Sequence, residues 1–200
     1  KNDKKWLMIF QISQLVVIVG IILCLNYQFA VLWMYSLNFI FNHFDSQTPF
    51  DRVVAMAQEE GFTEPDPMVD LSGVDVRRKL MILIRESGYK IEIDEIQTES
   101  FLPEAGLQTK STEELFEQLK ANRKHFDALY AEASKQGKRL KFVASYDNGV
   151  ASVGLQKIGP SHDFYNLEGK DNIVLFYTDR YAEQPLVVKG AGAGASVTAS

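Results

Sequence analysis

The distribution of charge along the chain divides it into two parts of different character. No Lys, Arg, Asp or Glu occurs from Trp6 to Phe44, whereas charged residues are dense and evenly spread from Asp45 to Lys189. The uncharged part contains the run LVVIVGIILCL. With its flanks, this run exceeds the ~18 apolar residues that make a membrane-spanning helix a candidate. The two parts therefore need separate interpretations.

The apolar segment, residues 1–35, has three interpretations. If residues 6–35 cross a membrane as a helix, the lysines at positions 1, 4 and 5 stay on the cytoplasmic side by the positive-inside rule. A secretory signal peptide fits less well, because its apolar region is only about 7–15 residues long and ends in a small-residue cleavage site. The alternative for a globular protein is a run of buried strand and helix.

The composition of the chain is that of a globular protein. At roughly 150 residues per domain, it holds one compact domain with an appended segment. The 26 acidic residues outnumber the 21 basic ones, and this balance argues against nucleic-acid binding. The one cysteine, Cys24, has no Cys or His neighbours at metal-ligand spacing, and a reducing, cytoplasmic setting fits it best.

Two helices are predicted in the first half of the charged part. The first begins at Pro49 and ends at Gly61, which fits a left-handed C-terminal cap. The second covers residues 74–87, VDVRRKLMILIRES, where apolar residues at i, i+4, i+7 and i+8 form a core-facing stripe. Asp70 or Ser72 is expected to cap this second helix.

The segment between these helices, residues 61–73, is predicted to be a rigid polar loop. Its sequence, GFTEPDPMVDLSG, contains two prolines two positions apart, Pro65 and Pro67. Proline lacks a backbone donor and favours an extended conformation in the residue before it. We therefore expect no helix in this segment.

The rest of the chain mixes helix and strand. The order Ser111 to Glu114 is a capping box ahead of one long helix that ends at Gly137. An Asn-Gly turn at Asn148 and Gly149 predicts a β-hairpin. The predicted strands cover residues 89–96, 139–146, 150–158, 172–178 and 186–189. This order is typical of an α+β domain.

Three acidic residues and one lysine are the candidates for chemistry. Glu64 and Asp66 lie in the proline-containing loop, and Asp75 and Lys79 lie one helical turn apart. Such a pair is most often an exposed ion pair that contributes roughly 0.3–0.5 kcal/mol. If the loop leads into the first turn of the helix, Glu64 lies near Asp75 and Lys79. Two carboxylates and one ammonium can hold an amino-acid-like substrate and move a proton.

Histidine and glycine residues give weaker signals. His43, His125 and His162 are scattered through unrelated elements, so their spacing predicts neither a metal site nor a Ser/His/Asp arrangement. The run GAGAG, residues 190–194, lets a backbone approach a ligand closely, or it is a plain loop.

Three segments together resemble the catalytic domain of homoserine dehydrogenase: GFTEPDPMVDLSGVDVRRK, SLNFIFNHF before it, and PLVVKGAGAGASVTAS at the end. The segments YDNGVASVGLQKI and NIVLFYTDRYAEQPLVVKGAGAG are similar to the type fused behind aspartokinase in a bifunctional enzyme. The resemblance covers residues 36–200 and leaves residues 1–35 outside it. It implies an α+β fold with an antiparallel or mixed sheet and helices on one face.

The resemblance also implies an activity and a role for each candidate residue. The family interconverts L-homoserine and L-aspartate 4-semialdehyde with NADP or NAD, in threonine and methionine biosynthesis. Lys79 would be the proton donor and acceptor at the carbonyl, while Glu64 and Asp75 would bind the substrate. The residues near the cofactor would be Gly190, Gly192 and Gly194.

Some features depart from the family. Met68 stands where arginine is usual, and Arg77 stands where a small residue is common. No GxGxxG motif opens a βαβ unit, so the Rossmann domain that would bind the dinucleotide is missing from the sequence. We therefore expect a fragment that is inactive by itself.

Two explanations are open for residues 1–35. They are either a real membrane helix fused to a catalytic fragment or a truncated or frame-shifted reading of a gene for a soluble enzyme. We favour the second, because a soluble amino-acid enzyme has no evident need of the ~20 apolar residues of a membrane anchor.

The alternative function is a membrane-anchored, non-catalytic binding or assembly module in which the sheet serves subunit pairing. Under the enzymatic interpretation we expect a cytoplasmic homo-oligomer that acts on a small molecule. Membrane association through residues 6–35 is expected if the apolar segment is genuine.

Overall fold

The computed structural model describes residues 29–167 and 171–191 of the chain. The helices in these residues are α1 (Asn38–His43), α2 (Phe50–Glu59), α3 (Pro67–Leu71), α4 (Val74–Glu86), α5 (Glu104–Leu107), α6 (Thr112–Ala121) and α7 (Arg123–Lys135), with a short 3-10 helix at Ile93–Glu95. The strands are β1 (Phe29–Ser36), β2 (Gln97–Glu99), β3 (Arg139–Asp147), β4 (Val150–Ile158), β5 (Asp171–Thr178) and β6 (Tyr181–Ala191).

The six strands form one mixed sheet in the order β2-β4-β3-β1-β5-β6. Neighbouring strands are antiparallel except β2 and β4, which are parallel. β1 joins the two halves of the sheet, because Val31 is in register with Asp147 of β3 on one side and with Tyr177 of β5 on the other. The prediction of an antiparallel or mixed sheet is confirmed.

The end of the apolar segment belongs to this sheet. Phe29–Ser36 forms β1, so the part of the apolar segment from residue 29 onward is a strand, as in the globular alternative. Residues 1–28, including Cys24, lie outside the described residues. Within the described ranges no helix is both long enough and apolar enough to span a membrane.

The helices cover one face of the sheet. Phe142 of β3 belongs to the main core, together with Val76, Leu80 and Ile84 of α4. The next residue, Val143, points to the opposite face and packs in a second cluster whose members are Ile158, Phe164, Leu167, Ile173 and Leu175. That second cluster contains no helical residue among those described. The expectation of helices on one face is therefore confirmed.

Several elements form where local sequence predicted them. Asn148 and Gly149 have φ angles of 49° and 81°, and the I′ hairpin turn needs positive φ at both central residues. The α2 helix ends before Gly61, which has a φ angle of 71°. The turn and the helix end are confirmed.

The segment 61–73 differs from its prediction, because it contains the short helix α3. Pro67 is the first residue of this helix, where the missing N–H of proline has no helical partner to lose. Asp66 caps the helix by accepting a 3.0 Å hydrogen bond from the Met68 amide. The predicted caps of α4, Asp70 and Ser72, are also wrong, because Gly73 occupies the N-cap position.

The predicted strand over residues 89–96 is absent from the described structure. Its alternating pattern is satisfied locally, because the amide of Glu92 donates to the Glu95 carboxylate across a 3-10 turn. Ile91 and Ile96 are buried without strand pairing. The alternation of apolar and charged residues in this segment therefore corresponds to a short 3-10 turn and not to a strand.

The long helix predicted between Ser111 and Gly137 is two helices, α6 and α7. They meet at Asn122, whose side-chain amide donates a 2.8 Å hydrogen bond to the Gln118 carbonyl and competes with the helical pattern. The capping box is half formed: Ser111 accepts from the Glu114 amide. The Glu114 carboxylate accepts from Lys110 instead of Ser111.

Candidate active site

The predicted charged residues come together where α3 leads into α4. Glu64 lies just before α3, and Asp75 and Lys79 lie in the first two turns of α4. The Lys79 Nζ is 2.6 Å from Asp75 Oδ2, with 51% of the Lys79 side chain and 23% of the Asp75 side chain exposed. This ion pair was predicted from the i, i+4 spacing.

Asp70 lies in the middle of this group, although the sequence interpretation treated it only as a helix cap. Asp70 is 9% exposed, and its carboxylate accepts a 2.8 Å hydrogen bond from the Glu64 amide. Burial raises the pKa of Asp70 to about 6, and the charges of Asp75 and Glu64 act in the same direction. The Glu64 amide and, more weakly, Lys79 oppose the rise in this pKa.

A signal for Asp70 exists in the sequence. The residue stands between the apolar Val69 and Leu71, in a segment that was predicted to be a polar loop. Once Pro67 is recognised as the start of a helix, Asp70 lies in its first turn and can turn inward. An acid in that position is a candidate for burial.

The backbone of the loop is held at two adjacent residues, Glu64 and Pro65. The Gln58 side-chain amide donates a 3.2 Å hydrogen bond to the Pro65 carbonyl, and Asp70 holds the Glu64 amide. The Asp66 side chain caps α3, so this candidate has a structural role. The Glu64 side chain is exposed and projects from a restrained backbone.

The junction between α3 and α4 packs tightly against the sheet. Gly73 has a φ angle of 75°, and a Cβ added there would lie 2.9 Å from the Phe142 Cζ. A side chain at this position would therefore push α4 away from β3. Glycine at this position allows the start of α4 to approach Phe142 of β3 closely. The same contact fixes the position of Asp75 in the first turn of α4.

The glycines predicted to approach the cofactor are only partly described. Gly190 lies in β6 opposite Asn172, and an added Cβ would meet no atom within 4 Å. Gly192 and Gly194 lie outside the described residues. The cofactor role of these three glycines stays a prediction.

The histidines and the other residue types that bind metals are the remaining candidates. No group of three or more His, Cys, Asp and Glu residues there could hold a metal ion. His43 and His125 contact the backbone carbonyls of Phe39 and Phe101, whereas His162 accepts from the Phe164 amide. The three histidines thus have separate local partners.

The charged group lies on an open surface. A groove of about 550 Å³ exists elsewhere, between the ends of α1 and α7 and the start of β3, and none of Glu64, Asp70, Asp75 and Lys79 lines it. The Glu64 and Lys79 side chains are exposed to solvent, whereas Asp70 beside them is buried.

Comparisons with known proteins agree on one family. The family model described as homoserine dehydrogenase matches residues 35–200. The chain is 42% identical over 166 residues to bifunctional aspartokinase/homoserine dehydrogenase 2, chloroplastic, of Zea mays, which covers 82% of this chain and 18% of that protein. It is 40% identical over 173 residues to homoserine dehydrogenase of Schizosaccharomyces pombe, covering 82% of this chain and 46% of that protein.

Solved structures share the fold. A crystal structure of a Candida auris protein of unknown function superimposes with a TM-score of 0.80 at 32% identity, covering 89% of this chain and 52% of that one. The S. aureus homoserine dehydrogenase at pH 6.0 superimposes with a TM-score of 0.64 at 23% identity, covering 86% of this chain and 40% of that one. The chain spans less than half the length of the curated relatives described above.

Proposed function

This chain belongs to the homoserine dehydrogenase family, and we propose that it forms the substrate-binding part of an oxidoreductase that interconverts L-homoserine and L-aspartate 4-semialdehyde with NAD(P). The observation that carries the proposal is the grouping of Glu64, Asp70, Asp75 and Lys79 at the α3–α4 junction. Because the chain spans 18% to 46% of the relatives' length, the activity is proposed for this chain together with a dinucleotide-binding domain.

The acidic residues suit the charges of the substrate. Homoserine carries an ammonium and a carboxylate group, with a hydroxyl at the end of its side chain. Under this proposal Asp75 holds the substrate ammonium, and Glu64 binds the amino or hydroxyl end. Asp70 acts on the backbone, because its carboxylate accepts the Glu64 amide and so restrains the position of Glu64.

Lys79 is the proposed proton donor and acceptor at the carbonyl oxygen. In the free chain its ammonium is paired with Asp75. A substrate ammonium that binds Asp75 replaces Lys79 as the partner of that carboxylate, and the released Nζ can then reach the carbonyl oxygen. A cation at this position stabilises the developing alkoxide and protonates it.

The hydride is what the nicotinamide cofactor supplies when bound. The roles proposed for Glu64, Asp75 and Lys79 are substrate binding and proton transfer, and Gly190, Gly192 and Gly194 remain the residues expected near the cofactor. The choice between NAD and NADP belongs to residues that read the ribose 2′ position in a Rossmann domain.

Homo-oligomer formation is part of the proposal. The apolar residues Leu186, Val187 and Val188 are exposed on β6, at one edge of the described sheet. A contiguous exposed apolar strand is typical of an interaction surface. A second copy of the chain is its proposed partner, and the cytoplasm its proposed location.

The test uses the full-length protein in which this chain occurs. We expect homoserine-dependent reduction of NAD or NADP, and we expect Lys79→Ala to lower kcat by at least about 100-fold, the lower range for loss of an acid-base group. Lys157→Ala is the matched control, because Lys157 also forms a surface ion pair, with Glu132, on strand β4.

Two results would contradict the proposal. If the wild-type protein turns over homoserine with neither NAD nor NADP, the proposed activity is wrong. If Lys79→Ala and Lys157→Ala lose turnover equally, the proposed role of Lys79 in proton transfer is wrong.

A further inference from the structure

Three aromatic rings stack beside the loop that carries Glu64. The ring of Phe62 stacks on Phe39 with centroids 4.5 Å apart and planes 27° apart. Phe39 in turn stacks on His43 at 4.1 Å and 23°. We refer to Phe62, Phe39 and His43 as the ring stack. It connects α1 to the segment between α2 and α3.

Phe62 also closes the end of α2 through its backbone. Its amide donates a 2.8 Å hydrogen bond to the Ala57 carbonyl, and the Gly61 amide donates a 3.1 Å bond to Gln58. These two bonds form the Schellman motif that commonly ends a helix. Phe62 is therefore held twice, by its backbone to α2 and by its ring to α1.

The stretch from Phe62 to Glu64 is short and stiff. Only Thr63 separates the two residues, and Pro65 restricts the backbone of Glu64 to extended conformations. A displacement of Phe62 is therefore carried to Glu64 with little loss. Phe62 is 37% exposed and lies outside the buried core, so its ring contacts act mainly on this stretch.

We propose that Phe62 is a positioning residue for Glu64, and that Phe39 and His43 hold the Phe62 ring in place. The ring stack restrains the loop from the α1 side, and the Glu64–Asp70 hydrogen bond restrains it from the α3 side. The part of this inference that concerns substrate binding rests on the proposed function of Glu64.

The chain offers a matched control at the end of α4. The Tyr89 amide donates to the Ile84 carbonyl and the Gly88 amide donates to Arg85, the same helix-ending motif. Tyr89 is 36% exposed, and its ring lies 5.3 Å from that of Tyr146. Tyr89 therefore matches Phe62 in motif and exposure and also contacts an aromatic ring, at a tilt of 59°, but it follows the end of α4 away from Asp75.

The first test is amide hydrogen exchange in the purified chain. We expect Phe62→Leu to speed exchange in the peptide that covers residues 63–66, because the loop loses its ring contact. Phe62→Tyr should retain the wild-type exchange rate, and Tyr89→Leu should leave the exchange rate of this peptide unchanged. Wild-type exchange in Phe62→Leu would overturn the inference whether or not the protein turns over homoserine.

The second test is steady-state kinetics of the full-length protein. We expect Phe62→Leu to raise the KM for homoserine by up to about 100-fold, the cost of a misplacement of about 1 Å at a positioned group, while the KM for NAD(P) stays unchanged. Phe62→Tyr should retain the wild-type KM for homoserine. A merely structural role would lower the folded fraction and the apparent kcat without this selective change.

The two tests separate the two proposals. If the wild-type protein does not act on homoserine but the exchange result is as expected, the proposed function fails and the positioning of the loop stands. If the wild-type protein acts on homoserine and Phe62→Leu matches Tyr89→Leu in KM and exchange, the inference about Phe62 is wrong.

Discussion

The buried Asp70 carboxylate accepts a 2.8 Å hydrogen bond from the backbone amide of Glu64, which ties the loop to the helix that follows it. The same burial that directs the carboxylate toward this amide also raises its pKa to about 6. An ionised Asp70 is the stronger acceptor, but its charge is costly in a buried position near Asp75. The bond that holds the loop is therefore sensitive to pH.

Replacement of this carboxyl should change how stability depends on pH. The pKa of Asp70 is about 6 in the folded chain and 3.8 ordinarily, so between these values the folded state binds more protons than the unfolded state. The free energy of unfolding should therefore fall as pH rises from about 4 to 6, by at most about 3 kcal/mol. Asp70→Asn, which keeps an acceptor but does not titrate, should lose this fall.

Urea unfolding at pH 4 and pH 7 measures the effect. The control is Asp94→Asn, because Asp94 is exposed in the 3-10 turn and its removal should preserve the wild-type pH dependence. If Asp70→Asn and the wild-type chain lose the same stability between the two pH values, Asp70 does not have the raised pKa described above.

The tight contact at Gly73 predicts a large cost for a single methyl group. Gly73→Ala would place a side chain at a φ angle of 75° and against Phe142. The positive φ costs about 1–2 kcal/mol, and overpacking adds roughly 1–3 kcal/mol. Gly88→Ala is the control, since Gly88 also has positive φ but open space around its Cα.

The measurement is the midpoint of thermal unfolding of both variants. Gly73→Ala should unfold at a clearly lower temperature than Gly88→Ala, and Phe142→Leu should recover part of the difference in the double variant. Equal midpoints for Gly73→Ala and Gly88→Ala would show that α4 can move away from β3 at no cost.

A buried lysine in β3 gives a third prediction. The Lys141 side chain is fully buried, and its Nζ donates to the Asn42 Oδ1 at 2.6 Å and to the Leu167 carbonyl at 3.3 Å. Lys141→Met fills similar space but leaves those acceptors without this donor. We expect it to lower the free energy of unfolding by about 1–3 kcal/mol, the cost of an unsatisfied buried polar group.

Lys157→Met provides the comparison for chemical denaturation, because Lys157 is partly exposed and its partner Glu132 can turn to water. The expected order of unfolding midpoints is Lys141→Met below Lys157→Met. The Leu167 carbonyl keeps a donor in the Asn42 side-chain amide, so a Lys141→Met variant as stable as Lys157→Met would show that Asn42 Oδ1 needs no hydrogen bond from Lys141.

Local sequence predicted the parts of the fold that are decided locally. The hairpin at Asn148 and Gly149 needs only two residues that accept positive φ, and the stripe on α4 needs only its own periodicity. The parallel pairing of β2 with β4 depends on a distant partner, and no pattern within Gln97–Glu99 signals it. The place of β1 was missed for the same reason, since its apolar sequence fits a strand as well as a helix.

The candidate site likewise combines features that local sequence predicts with features that depend on the fold. Asp75 and Lys79 were predicted as a pair from their spacing, and Glu64 from the loop that leads toward them. Asp70 was missed because Pro65 and Pro67 were both interpreted as helix breakers, whereas Pro67 begins a helix and turns Asp70 inward. The chemistry of a residue was visible in the sequence, but its burial depended on the fold.

The central place of β1 constrains the order in which this chain can fold. This strand is made before its neighbours, yet Val31 pairs with Asp147 and with Tyr177, so both partners are in place only once the chain has been made as far as Tyr177. Contacts between residues so far apart in the chain slow folding and leave apolar strands exposed to aggregation meanwhile. Without β1, the strands β2-β4-β3 and β5-β6 would be two separate half-sheets with no backbone hydrogen bonds between them.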